Sequence, residues 1–157
     1  IGEFEDDEAN IQSYKKLPQH HNEIVRYAKA RCPINHPAVM YKKSAAERAG
    51  GYQKMIFLED YYLWVRMILS GARFYNIQDT LLNMRAGDSM LQRRAGVVYA
   101  KNELRLLNEF RKMGFLTTRE YIKNIVIRVP IRLMPVGVLK FVYRFLRGTV
   151  QNFVSIG

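Results

Sequence analysis

Apolar positions recur along this chain with two periods, and the changes between them mark its elements. Residues 1 to 5 read as a short strand, entered midway, that runs into a charged turn, so a piece of a longer protein is expected. Residues 19 to 30 predict a helix, because Ile24, Tyr27 and Ala28 fall at helical spacing. The segment PAVMYKK, residues 37 to 43, has strand character. Ser44 can then cap a short helix, SAAERA, with Glu47 completing a capping box and Gly50-Gly51 ending it. A third helix is expected from about Asp60 to Ser70, stopping at Gly71. ARFYNI and TLLNMR predict two short strands joined by a turn at Gln78-Asp79, and residues 92 to 112 predict a longer, charged helix. Alternating strands and helices favour an α/β domain.

From residue 117 the pattern becomes apolar and basic together. Pro130 and Pro135 are expected to break it into two helical pieces. In the second piece Lys140, Arg144 and Arg147 form one stripe of a helix whose remaining surface is apolar. The expected organisation is therefore an α/β part over residues 1–115 and a helical, basic, amphipathic extension over 116–157.

Charge sharpens this picture. Lys and Arg number 25 against 14 Asp and Glu, a net +11. Residues 3 to 8 hold five acids, whereas residues 119 to 147 hold seven bases and one acid, Glu120. A localised basic surface points to phosphates, of an anionic membrane or of nucleic acid. Against nucleic acid, the bases are interleaved with aliphatic residues, and no helix-turn-helix or RNA-binding signature appears. With 48% hydrophobic residues the chain should fold, and its 157 residues suit one core. No apolar run approaches bilayer-spanning length and no secretory signal precedes the acidic start, so a cytoplasmic protein, peripheral on the inner face of the membrane, is expected.

Cys32 is the single cysteine and reads as a small buried residue in a reducing compartment. No Cys or His lies at zinc-ligand spacing, His20-His21 read as surface residues, and there is no Gly-rich phosphate loop or nucleophile elbow. What remains as chemistry is the pair Glu59-Asp60. Winding the helix at about 100° per residue puts Asp60 on the side of Trp64 and Met67, and Glu59 on the flank of Leu63 and Arg66. A carboxylate in a first helical turn is also favoured by the helix dipole and by free backbone N–H groups, without any catalytic role.

The run RCPINHPAVMYKKSAAERAGGYQ, followed by FLEDYYLWVRMILSGARFYNI and LLNMRAG, resembles the C-terminal half of a family 2 glycosyltransferase of the GT-A type. The resemblance is to the bacterial exopolysaccharide and capsule branch, amylovoran biosynthesis transferases included. His-Pro, Gly-Gly-Tyr, Glu-Asp-Tyr and Trp-Val-Arg carry it, in that order. It implies transfer of a sugar from a nucleotide-sugar donor to a hydroxyl of a saccharide or lipid-linked acceptor, with inversion. Asp60 matches the position of the general base, and Glu59 that of its neighbour, which supports it or binds the acceptor. His36 is then a substrate-side hydrogen-bonding residue or a structural histidine. Arg85 meets the donor diphosphate or is a surface arginine, Trp64 stacks a sugar or belongs to the core, and Arg93 and Arg94 lie on a solvated helix face.

The resemblance also implies Mg2+ or Mn2+ held by an Asp-x-Asp motif in the N-terminal half, which this sequence does not display. The run EDDE at 5 to 8 reads as a solvated turn, so no metal and no cofactor is expected on this chain, which alone should be inactive. Half of such a sheet leaves an edge, and a homodimer or exchanged strands are expected to cover it. The rival from another class is a non-catalytic basic module docked on anionic lipid or nucleic acid.

Overall fold

The structure, a computed structural model, describes residues 1–4, 7–85, 94–134 and 137. Strands β1 (Gly2–Phe4), β2 (Ser13–Tyr14) and β3 (Asn83–Arg85) form a small sheet in the order β2-β1-β3. β1 runs antiparallel to β2, with Gly2 opposite Tyr14, and parallel to β3, with Glu3 opposite Met84. Helices α1 (His21–Ala28), α2 (Lys43–Arg48) and α3 (Glu59–Leu69) lie between β2 and β3, and α4 (Val97–Lys112) and α5 (Thr118–Leu133) follow. The fold is mixed α/β.

Helix α3 sits at the centre because it is buried on every side, with Arg66 the one charged residue of its buried stretch. Its residues 61 to 67 are all buried. Tyr61, Tyr62 and Val65 pack with Leu106, Leu107 and Phe110 of α4, while Leu63, Trp64 and Met67 pack with Ile24, Ile34 and Ala45. A helix buried all round is held by its neighbours rather than by propensity, each large side chain contributing about 1.5–3 kcal/mol. Tyr61 adds a hydrogen bond from its hydroxyl to the carbonyl of Ala28 at 2.6 Å. The first turn of α3 is therefore rigidly placed.

Several expectations are corrected. Residues 37 to 43 form no strand: His36–Ala38 make one 3-10 turn, which Pro37 suits, and Met40 beyond it is 98% exposed with no ladder partner. Helix α2 starts at Lys43, so Ser44 lies inside it and makes no cap. Its end is as expected, with Gly50 and Gly51 at φ +80 and +62 and the Gly51 N–H donating to Ala46 O at 2.8 Å.

Residues 72 to 77 also form no strand, since side chains satisfy what a ladder would. The Asn76 amide donates to Pro18 O at 2.7 Å and Pro33 O at 3.1 Å, and His21, a partner rather than a mere surface residue, accepts from the Phe74 N–H at 3.3 Å. Only Asn83–Arg85 of the second expected strand pairs. The two-residue β2 left no periodic signal to read.

Pro130 does not break its helix, because α5 runs through it to Leu133. Arg128 and Arg132, on either side of the proline, both clamp Glu103 of α4: Arg128 Nε lies 2.8 Å from Oε1 and Arg132 Nε 2.8 Å from Oε2. A charge-assisted pair on each side offsets the lost backbone bond. The stripe of Lys140, Arg144 and Arg147 lies outside the described residues.

Candidate active site

The start of α3 is set by an unusual backbone. Phe57 adopts φ +67, a left-handed conformation that costs a side-chain-bearing residue about 1–3 kcal/mol, and its ring stacks on Tyr99 at 5.6 Å. The chain thus turns sharply into Leu58 and begins the helix at Glu59. Asp60 is half-buried, and one carboxylate oxygen accepts from the Tyr61 N–H at 2.7 Å. That leaves its other oxygen for a ligand.

Asp60 opens into a groove of about 910 Å3 whose walls include His36, Cys32, Lys15, Arg94 and Phe57. The groove is cationic. Arg31, Lys123, Arg128 and Arg132 also line it, against the carboxylates of Asp60 and Glu120. Arg128 and Arg132 are engaged by Glu103, and Lys29 by Glu120 at 2.8 Å. Lys15 and Arg94 make no ion pair among the described residues; Lys15 lies near enough to Asp60 and Cys32 to feel their charge, and Arg94 near enough to Lys15 and Cys32. Burial holds the Lys15 ammonium below the usual lysine range, and Arg94 pushes the same way. Burial first, and then the charge of Asp60, push the Cys32 thiol up to about 12. Cys32 is thus an inert wall, as its sequence suggested.

Beside Asp60 stands an aromatic group built on Trp64. Its indole is 0% exposed and meets His36 edge-on at 6.1 Å and Tyr41 at 5.4 Å. Trp64 is core and not a sugar platform; it supports His36 from below. The Tyr52 hydroxyl lies 3.1 Å from His36 Nε2. Loss of solvent around that hydroxyl, then its hydrogen bond with Tyr41, then the charges of Tyr41, Asp60 and Glu59 push Tyr52 up to about 12. The phenol therefore keeps its proton, and its hydrogen bond with Nε2 ties the His36 ring to the Gly-Gly-Tyr turn.

Of the residues the sequence singled out, Asp60 and His36 come together in one groove. Glu59 is exposed and does not line it. Arg85 is also exposed, with its guanidinium over the Phe4 ring at 5.6 Å, and the groove is lined instead by its neighbour Met84. Arg94 precedes α4 at the groove and is not on a helix face; Arg93 lies outside the described residues. Sequence reasoning missed Lys15, Tyr52 and Asn35, whose buried Oδ1 has no partner among the described residues and whose backbone joins His36. Tyr52 was visible in Gly-Gly-Tyr; Lys15 left no local signal.

Among the described residues no three His, Cys, Asp or Glu side chains are grouped to hold a metal ion. Asp7 and Glu8 of the acidic run are exposed in a turn, while Glu5 and Asp6 lie outside the described residues. The arrangement can accept a proton at Asp60 and hold an anion at Lys15 and Arg94.

No protein-family model matches the chain. No solved structure matches it. It is 35% identical over 144 residues, 92% of its length, to the UDP-Gal:alpha-D-GlcNAc-diphosphoundecaprenol beta-1,3-galactosyltransferase of Escherichia coli, of which it covers 52%. It is 36% identical over 148 residues to an uncharacterized glycosyltransferase of Haemophilus influenzae, covering 94% of the chain and 55% of that protein. To the amylovoran biosynthesis glycosyltransferase AmsE of Erwinia amylovora it is 36% identical over 143 residues, 89% of the chain and 53% of the relative. The chain spans about half the length of the curated relatives it matches.

Proposed function

Homology to one half of bacterial polysaccharide glycosyltransferases is the premise from which we propose that this chain is the acceptor-side, C-terminal half of an inverting family 2 enzyme of GT-A type. The observation that carries the reading is Asp60, held at the first turn of the most buried helix and opening on a cationic groove beside His36. The acceptor hydroxyl attacks the anomeric carbon of a nucleotide sugar, its proton passes to the Asp60 carboxylate, and the nucleoside diphosphate leaves. His36, polarised by Tyr52, positions the acceptor. Glu59 and Arg85, away from the groove, have at most an indirect part.

The Mg2+ or Mn2+ expected of such an enzyme would offset the diphosphate charge. The described residues offer no donor set for it, and no step above runs through it. The donor sheet and metal acids belong to the longer enzyme, so the chain alone transfers no sugar. The name of the Escherichia coli relative specifies an acceptor on diphosphoundecaprenol. A saccharide on a lipid diphosphate is accordingly the acceptor class proposed here, with Lys15 and Arg94 placed for its phosphates at the cytoplasmic face of the membrane.

The test is Asp60→Asn in the full-length enzyme. Turnover should fall about 100- to 10,000-fold while donor binding survives. Glu59→Gln should cost far less. An Asp60→Asn variant that retains its rate would reduce Asp60 to a helix-terminal residue and remove the base from this scheme.

A further inference from the structure

The inner side of helix α5 packs Tyr121 and Ile125 against the core and engages its polar groups: Glu120 with Lys29 at 2.8 Å, Asn124 with Lys29 O at 2.9 Å, Arg128 and Arg132 with Glu103. The side turned away carries Ile122, Val126 and Leu133, exposed by 54%, 65% and 52%. Wound at about 100° per residue, these three fall within one narrow strip, with Arg119 and Lys123 exposed along its edge. The outer face of a helix that meets only water is polar instead. The strip is also distinct from the groove, which α5 lines with Lys123, Asn124, Ile127, Arg128, Ile131 and Arg132 but with none of the three.

The surface that fits this strip is apolar with anionic groups beside it. A second copy of the chain, meeting the strip face to face, would bring Arg119 and Lys123 against the same cations in a protein of net charge +11. Anionic lipid headgroups reverse that repulsion. We propose that the outer face of α5 docks on an anionic bilayer, with Ile122, Val126 and Leu133 at the boundary of headgroups and acyl chains and Arg119 and Lys123 at the lipid phosphates. The inference stands apart from the transferase reading, since lipid binding needs no turnover. It also needs no span, and no helix among the described residues is long and apolar enough to cross a membrane.

The experiment is co-sedimentation of the full chain with vesicles of phosphatidylglycerol and phosphatidylethanolamine, or of phosphatidylcholine alone. Binding should require the anionic lipid and weaken in high salt. Ile122→Asp with Val126→Asp should lower partitioning at least about tenfold, with an unchanged thermal transition because both positions are exposed. Arg119→Glu with Lys123→Glu should remove the preference for anionic lipid, and the emission of a Val126→Trp variant should shift to the blue on vesicles. Three results overturn the proposal. One is binding by the double aspartate variant equal to the parent, with loss only in Lys140→Glu, Arg144→Glu, Arg147→Glu. Another is no binding to anionic vesicles at all. The third is a parent dimer in sedimentation equilibrium that the double aspartate variant dissociates while vesicle binding is unaltered, which would assign the strip to a second copy.

Discussion

Arg66 is a cation placed inside the core, and its task is to hold a turn. Its Nη1 and Nη2 donate to Ala49 O and Gly51 O at 2.5 and 2.6 Å, and the guanidinium lies over the Tyr62 ring at 4.5 Å. Burial lowers its pKa from the ordinary arginine value. Since the two carbonyls end α2 just before Tyr52, Arg66 links the Gly-Gly-Tyr turn to the helix that carries Asp60. Arg66→Ala leaves two carbonyls without their donor and should cost about 2–4 kcal/mol in urea unfolding. Arg66→Lys should recover little of it, because a single ammonium does not reproduce the fork. Gly50→Ala should cost about 1 kcal/mol or more, since φ is +80 and the added Cβ would come 3.1 Å from Gln53 Nε2 and 3.3 Å from Arg66 Nη1.

Helix α5 is placed by ion pairs as well as by the packing of Tyr121 and Ile125 on the core. Glu103, 0% exposed, is tolerated because Arg128 and Arg132 share its two oxygens. Glu103→Ala leaves two guanidiniums facing a hole and should destabilise by about 3–5 kcal/mol, measured by denaturant titration. At the other end, Thr117 and Glu120 form a capping box, with the Thr117 N–H donating to Glu120 Oε2 at 2.9 Å. The hydrogen bond from Lys29, and then the Thr117 N–H, hold the Glu120 carboxyl below the ordinary carboxylate value of 4.5. A depressed folded-state value means the contribution is complete above 4.5 and lost as pH falls through the lower folded value. Comparing Glu120→Gln with the parent across pH should therefore show a stability gap at neutral pH that closes on the acid side of 4.5. A gap unchanged in acid would mean that Glu120 acts through shape and not charge.

For the whole molecule, the decisive feature is a cationic groove that, among the described residues, holds the carboxylates of Asp60 and Glu120 and no cluster grouped for a metal ion. Titrating the chain with UDP- and GDP-sugars plus Mn2+ should give no saturable micromolar binding, because the proposed donor half is not part of it. Micromolar saturation would show a donor site more complete than the one described.

Some of this was determined by the sequence alone. Gly50, Gly51 and Gly71 at positive φ end their helices where they stand in the chain, and the helix after Glu59-Asp60 runs from there to the stop at Gly71 as expected. These signals are local: a left-handed turn or a helical period is decided within a few residues. The kinship to glycosyltransferases was legible for a related reason, since His-Pro, Gly-Gly-Tyr, Glu-Asp-Tyr and Trp-Val-Arg map onto the 3-10 turn, the Arg66-held turn and α3. Tertiary structure alone decided the rest. Asn76 replacing a ladder across 58 and 43 residues, Arg128 and Arg132 reaching Glu103 across 25 and 29, and Lys15 rather than Arg85 sharing the groove with Asp60 all bring distant groups together. Burying a polar group is unfavourable until its partner arrives, and only the folded chain brings the partner. That same requirement draws Asn124, Arg128 and Arg132 of α5 to partners on other elements.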